Sequence, residues 1–438
     1  MSVERRRCRV FLESFGCSSN MADGEFMTGS LVEAGFELAT SVAEADVLIY
    51  NTCGVKTPTE NRAIEVLKRA SEMKGKRLIV TGCLPLINPK RLTEQIRFDA
   101  VLGPNLGSSI VEAVHEVVSG RPYNHLKLHI GNSSLLLPRK ALNTVVSVVP
   151  VAQGCLGACS YCCVVFARGR LRSSSVSEIV DRIKMDLDSG AREVWLTGQD
   201  MAAYGRDIGV NLAALLNELC LLDGDYMIRV GMMTPNLALD ILDELIEAFQ
   251  NEHVFKFVHL PVQSGSDKVL KCMNRQYKAN QFKSIVDTFR KAIPQVTAAT
   301  DIICGFPGET HDDFQESLNL IEEIKPDVVN ISKFFSRPKT AAENMNLKVP
   351  PAEVSDRSRR MTHLVKRISS EKNRAWLNWK GRILVDERGK QLDTFIGRNF
   401  AYKPIVVKSG SESLLGTFVD VRVTKAFQTY LEAEIMTS

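Results

Sequence analysis

Through residues 1–122, short unbroken apolar runs alternate with longer stretches whose apolar residues recur every three or four positions. RVFLES (9–14), DVLIYNT (46–52), RLIVTG (77–82) and DAVLG (99–103) are the runs; TPTENRAIEVLKRASEM (57–73) is one of the intervening stretches. The pattern predicts buried strands separated by helices, hence a parallel sheet with helices on its faces. Three cysteines follow three of these strands: Cys17 in ESFGCSSN, Cys53 in YNTCGV and Cys83 in TGCLP. Parallel strands share one carboxyl edge, the edge at which open α/β sheets bind ligands, so these thiols are expected to converge.

Residues 123–144 lack a period and read as a linker. From 145 to 370 the alternation resumes, with strands predicted in VVSVVPVA, EVWLTG, YMIRVGM, VFKFVHLP, TAATDIICG and DVVNISKFF, and helices in SVSEIVDRIKMDLDSG, ALDILDELIEAFQ and DDFQESLNLIEEIK. Six such units predict a partial (β/α)6 barrel that works at the carboxyl ends of its strands. Residues 371–438 turn to short β-rich runs, read as a small antiparallel barrel. The chain is therefore an α/β protein in three parts.

The first strand of the second part leads into QGCLGACSYCCV (153–164), with four cysteines in nine positions. Zinc fits poorly, because no histidine or second cysteine pair accompanies them. The trio Cys155, Cys159 and Cys162 suits a [4Fe-4S] cluster with one iron left open, with Gly154 and Gly157 letting the backbone wrap closely. Cys163 reads as a small buried thiol.

Composition sets the bounds. A chain of 438 residues, 45% hydrophobic and 24% charged, buries a large core. No apolar run reaches membrane-spanning length, and MSVERRRCRVFLESFG lacks a secretory signal, so a cytoplasmic protein with no membrane partner is expected. Eleven cysteines, an odd number, point to ligands, nucleophiles or core residues before disulfides. From Lys372 onward, 11 Lys/Arg stand against 7 Asp/Glu, a local +4 that equals the whole-chain charge. That excess, with the basic helix Arg357 to Arg367 before it, suits a nucleic-acid backbone.

C-x3-C-x2-C with Tyr161 before Cys162, opening a partial barrel, resembles the radical S-adenosylmethionine superfamily. The N-terminal domain carrying Cys17, Cys53 and Cys83, with a C-terminal barrel that looks like a TRAM domain, makes the chain similar to the methylthiotransferase family. ESFGCSSNMADGE, YNTCGVK, VTGCLP, FARGRLRS, LTGQDMAAYG, HLPVQSGSD, NRQY and TDIICGFPGET support the resemblance.

The resemblance implies two [4Fe-4S] clusters and S-adenosylmethionine as cofactors. Cys155, Cys159 and Cys162 would hold the cluster whose open iron takes the cofactor's amino and carboxylate groups before cleavage to a 5′-deoxyadenosyl radical. Cys17, Cys53 and Cys83 would hold a second cluster that presents sulfur. Tyr161, Thr197, Gly198, Gln199, Asp200, Gln263, Ser264 and Gly305 would border S-adenosylmethionine. Lys380, Arg382, Arg398, Lys403, Arg422 and Lys425 would meet RNA.

FARGRLRS and MAAYGRDIG look most like the archaeal and eukaryotic branch that acts on N6-threonylcarbamoyladenosine beside the tRNA anticodon. The implied partners are that tRNA, an electron donor and a sulfur donor, with the enzyme a monomer. Isopentenyladenosine in tRNA and a ribosomal-protein aspartate are the alternative substrates, and a non-catalytic RNA-binding protein with structural clusters is the alternative class. Two departures from the family pattern stand out: SSVSE follows FARGRLRS without the usual proline, and Lys339 takes the glycine position of R-P-G-T-P, where altered backbone or a phosphate contact is expected.

Overall fold

The computed structural model describes residues 8–104, 107, 109–126 and 135–436. Part of the expected linker, residues 127–134, lies outside them.

The N-terminal part is a six-stranded parallel sheet of β1 (Arg9–Ser14), β2 (Glu37–Leu38), β3 (Val47–Thr52), β4 (Arg77–Gly82), β5 (Ala100–Leu102) and β6 (Tyr123–His125), in the order β2-β1-β3-β4-β5-β6. Every residue of β3 is buried, as an unbroken apolar run between helix layers requires. The short edges β2 and β6 carry no hydrophobic pattern, which is why the sequence read Tyr123–His125 as linker. Farther along, Arg139 also departs from a loose connection. Its guanidinium is buried, pairing with Glu25 and, at 2.8 Å, with Asp186, and so clamps the first helix to the second domain.

The second part follows as β7 (Val146–Pro150), the small ribbon β8 (Ala152–Gln153) and β9 (Arg172–Ser173), then β10 (Glu193–Thr197), β11 (Met227–Val230), β12 (Phe257–His259), β13 (Thr297–Cys304) and β14 (Val328–Lys333). β7, β10 and β11 form one parallel sheet and β12, β13 and β14 another, joined by a bridge between Ile228 and Val254. Val149, Val194, Leu196, Ile228, Val258 and Ile302 belong to one buried core with the covering helices. On the opposite face the Arg229 guanidinium lies over the Trp195 and Phe257 rings. This is the expected partial barrel.

The helix Pro351–Arg374 crosses the expected boundary at 370 and leads to a closed barrel of β15 (Lys380–Arg388), β16 (Thr394–Asn399), β17 (Pro404–Lys408), β18 (Phe418–Ala426) and β19 (Leu431–Ile435). One pair, β17 with β19, is parallel, since a ring of five strands cannot close with every neighbour antiparallel.

This small barrel packs into the second domain; of the residues expected to meet RNA, Lys403 is buried in that docking, Arg398 is largely covered and Arg382 stays half exposed. Lys403 is 4% exposed and pairs with Asp327 at 2.8 Å. Arg398 pairs with Asp386 at 3.0 Å and lies over Tyr402, whose ring packs against Phe255 and Phe257. Arg382 reaches Asp225 at 2.7 Å. At this junction burial, and then Asp386, push the Glu193 carboxyl up to about 8. Lys380, Arg422 and Lys425 remain exposed, with Lys380 opposite Arg422 across the β15–β18 pair and Lys425 bonded to Glu432.

Candidate functional site

Cys155, Cys159 and Cys162 sit on the loop between β8 and the short helix Val164–Arg168. Tertiary contacts hold the loop: Ser160 Oγ donates to the Cys272 carbonyl, Asn274 Nδ2 to the Ala158 carbonyl, and the Gly154 amide to Gln199 Oε1 at 2.6 Å. Gly154 has φ +76°, and a Cβ there would strike the Arg170 carbonyl oxygen at 2.1 Å, so glycine is required. A Cβ on Gly157 would lie 3.3 Å from Cys155 Sγ and 3.6 Å from Cys159 Sγ. Its absence leaves a cradle over two of the thiols.

The second trio comes from three strand ends. Cys17 precedes the helix Ser18–Glu33, Cys53 follows β3, and Cys83 precedes the helix Leu84–Ile87. Gly16, at φ +117°, lets Cys53 approach; a Cβ would stand 2.6 Å from the Cys53 Cβ. Burial raises Cys53 and pushes Cys83 up to about 12, with neighbouring thiols of the trio adding to the rise. Burial likewise pushes Cys162 up to about 12, and Cys159 and Cys155 contribute. Burial thus holds Cys53, Cys83 and Cys162 as thiols, a cost that bound iron would reverse. Among the described residues no three His, Cys, Asp or Glu side chains are disposed around a single metal ion. Three thiols, in a glycine-lined cradle, fit a [4Fe-4S] cluster in which three irons would each take one thiolate and the fourth stays open.

The N-terminal domain docks across the carboxyl edge of the partial barrel, which brings Cys83 into one cluster with Cys163, the neighbour of Cys162. Ser18 Oγ and Thr197 Oγ1 are 2.7 Å apart, and Gln199 Nε2 donates to Ser19 Oγ. Arg168 donates to Asn20 and pairs with Asp23, both at 2.7 Å. Arg337 pairs with Glu60 and donates to the Gly54 carbonyl. Cys163 fills the seam, clustered with Cys83, Ile87 and Ala167 and in contact with the Arg337 guanidinium.

The remaining residues expected to border the cofactor divide. Thr197, Gln199 and Asp200 line the seam, with Asp200 accepting from the Ala202 and Thr234 amides, and Gly198 lies between them. Tyr161 lies edge-on to Phe306 beside the first trio, and Gln263 takes φ +71° just past β12. Ser264 is fully buried, its hydroxyl accepting from the Ser266 amide and bonded to Ser317, so it shapes a turn. Gly305 makes room for Val354, to which a Cβ would come within 2.4 Å, and donates its amide to Glu309. Lys339 is exposed at φ +66°, so the glycine-like backbone persists without glycine. Sequence reasoning passed over Asn20, Asp23, Arg168, Arg275 and Arg337, although each lies in a stretch already singled out.

Three family models match in succession: "Uncharacterized protein family UPF0004" over residues 9–103, "Radical SAM superfamily" over 149–321 and "TRAM domain" over 381–436. A protein of Pyrococcus horikoshii named probable threonylcarbamoyladenosine tRNA methylthiotransferase is 39% identical, covering 98% of this chain and 100% of its own. Its namesake from Methanothermobacter thermautotrophicus is 41% identical over 97% of this chain and 99% of its own. The chain belongs to the threonylcarbamoyladenosine tRNA methylthiotransferase family. The human family member is 33% identical, covering 97% of this chain and 74% of its own. Beyond the family, the radical S-adenosylmethionine methyltransferase TsrM of Kitasatospora setae, solved with cobalamin and a [4Fe-4S] cluster, shares the fold at TM-score 0.57 and 13% identity, over 77% of this chain and 74% of its own.

Proposed function

We propose that this methylthiotransferase converts N6-threonylcarbamoyladenosine in tRNA to its 2-methylthio derivative, using two [4Fe-4S] clusters and S-adenosylmethionine. What supports the reading is the docked seam, which brings Cys83 of the second trio to Cys163, beside Cys162 of the first. Cys155, Cys159 and Cys162 would hold one cluster and Cys17, Cys53 and Cys83 the other. When bound, such clusters supply one-electron chemistry on S-adenosylmethionine at one site and a transferable sulfur at the other.

The chain's own part is placement. Gln199 fixes the Gly154 end of the first loop and the Ser19 end of the second at once, so the two sites keep one spacing. Asp200 Oδ1 accepts from the Ala202 and Thr234 amides, tying the two strand-end loops together beside them. Lys380, Arg422 and Lys425 offer exposed positive charge for the tRNA backbone. No helix of the described residues is long and apolar enough to cross a membrane. A low-potential electron donor, a sulfur donor and a monomeric enzyme in a reducing cytoplasm complete the proposal.

The test is anaerobic turnover of the iron-loaded chain with S-adenosylmethionine, reductant, sulfide and tRNA carrying the threonylcarbamoyl nucleoside, followed by mass spectrometry of digested nucleosides. A methylthio product is expected. Formation of 5′-deoxyadenosine with an unchanged nucleoside would overturn the substrate; absence of both from fully loaded protein would overturn the enzyme.

A further inference from the structure

Two arginines, Arg168 buried and Arg275 half-buried, stand beside the two trios, and they differ in what balances their charge. Arg275 Nη1 donates to Cys159 Sγ at 3.1 Å, Nε donates to Tyr277 Oη at 2.8 Å, and the guanidinium lies over the Tyr277 ring at 4.9 Å. Among the described residues no carboxylate pairs with it directly; Asp200 meets its charge only at longer range. Arg168 faces the Cys83 and Cys17 thiols, but Asp23 pairs with it at 2.7 Å, and both side chains are almost wholly buried.

We propose that Arg275 is a positioning residue that raises the reduction potential of the cluster at Cys155, Cys159 and Cys162, whereas Asp23 cancels the same effect of Arg168 at Cys17, Cys53 and Cys83. The inference rests on the two-cluster reading above. A reduced cluster carries one more negative charge than an oxidised one. A hydrogen bond to its sulfur from a cation with no carboxylate paired to it therefore stabilises the reduced form more. A buried ion pair presents no net charge at the same range, so Arg168 orients its trio without comparable bias. The electron arrives from an external low-potential donor, and no proton or bond change accompanies it.

The experiment is a dithionite titration with redox mediators, read by electron paramagnetic resonance, on the full-length chain. A Cys53→Ala background isolates the first cluster and a Cys159→Ala background the second. Arg275→Gln is expected to lower the reduced-to-oxidised ratio of the first cluster at a fixed potential about tenfold, about 59 mV for a one-electron couple. Asp23→Asn is expected to raise that ratio for the second cluster by a similar factor. Iron content and S-adenosylmethionine affinity should stay near parental values. If Arg275→Gln fails to retain iron, Arg275→Lys is titrated instead; its shorter side chain cannot hold both Tyr277 and Cys159, and a shift of about threefold is expected. An unmoved midpoint in the loaded Arg275 variant overturns the proposal. Lack of any cluster signal from the Cys53→Ala chain would instead overturn the two-cluster reading.

Discussion

The two thiol trios reach the same seam by opposite routes. Cys155, Cys159 and Cys162 lie on one loop, so a few local contacts set their arrangement. Cys17, Cys53 and Cys83 come from three strand ends and meet only when the sheet has formed. The first site is a property of a segment, and the second is a property of a domain.

The sharpest separation comes from removing one thiol of each. Cys159→Ala should abolish S-adenosylmethionine cleavage, a loss of at least about a hundredfold in 5′-deoxyadenosine by chromatography. Cys53→Ala should leave cleavage and stop methylthio product. Each variant should lose about half its iron, and equal loss of both activities in either one would break the distinction.

Next in size is Glu60→Ala, which strands Arg337 and Arg91 at the seam. A loss of about 3–5 kcal/mol is expected in chemical denaturation. Gly16→Ala is subtler. Its backbone at φ +117° and the 2.6 Å approach to Cys53 predict a cost of about 1–3 kcal/mol. Iron should fall at the second trio while the first stays loaded; equal loss at both would show that the domain-borne site is no more fragile than the loop-borne one.

The docking of the small barrel supplies a pH test. The Glu193 carboxyl rises from its ordinary 4.5 to about 8, through burial first and Asp386 second, against Arg398, Tyr402 and Trp195, which favour the charged form. Between those values the folded chain keeps a proton that the unfolded chain releases. Stability from this group is therefore full below about pH 4.5 and lost as pH rises through about 8, with a limiting slope of about 1.4 kcal/mol per pH unit. Thermal melts of Glu193→Gln should lack that slope. The smallest effect is expected at the surface, where Arg422→Ala should weaken tRNA binding and reduce its salt dependence by about one charge, as filter binding across a salt series would measure.

Much of this was legible in the sequence. β1 spans the residues of its apolar run, each predicted barrel strand is present, and Cys17, Cys53 and Cys83 follow the strands expected to carry them. The illegible part has one physical origin: a charged residue has the same letter whether it faces water or a buried partner. Lys403 and Arg398 read as a basic surface, but Asp327 and Asp386 supply their counter-charges. Arg139 read as linker because Glu25 and Asp186 lie far away in sequence. Ser264 and Gly305 were assigned by position along the barrel, and only the packing of Ser317 and Val354 shows what they do.

Tyr402, wedged among Phe255, Phe257 and Arg229, has a consequence of scale. A hinge between the last barrel and the rest would let the exposed Lys380 and Arg422 swing relative to the seam. With an aromatic peg in a cation-lined socket, and Lys403 latched beside it, the span between that face and the cysteines is a fixed length. If tRNA binds that face as proposed, the molecule would act as a caliper that selects one position along the bound chain by measuring to it.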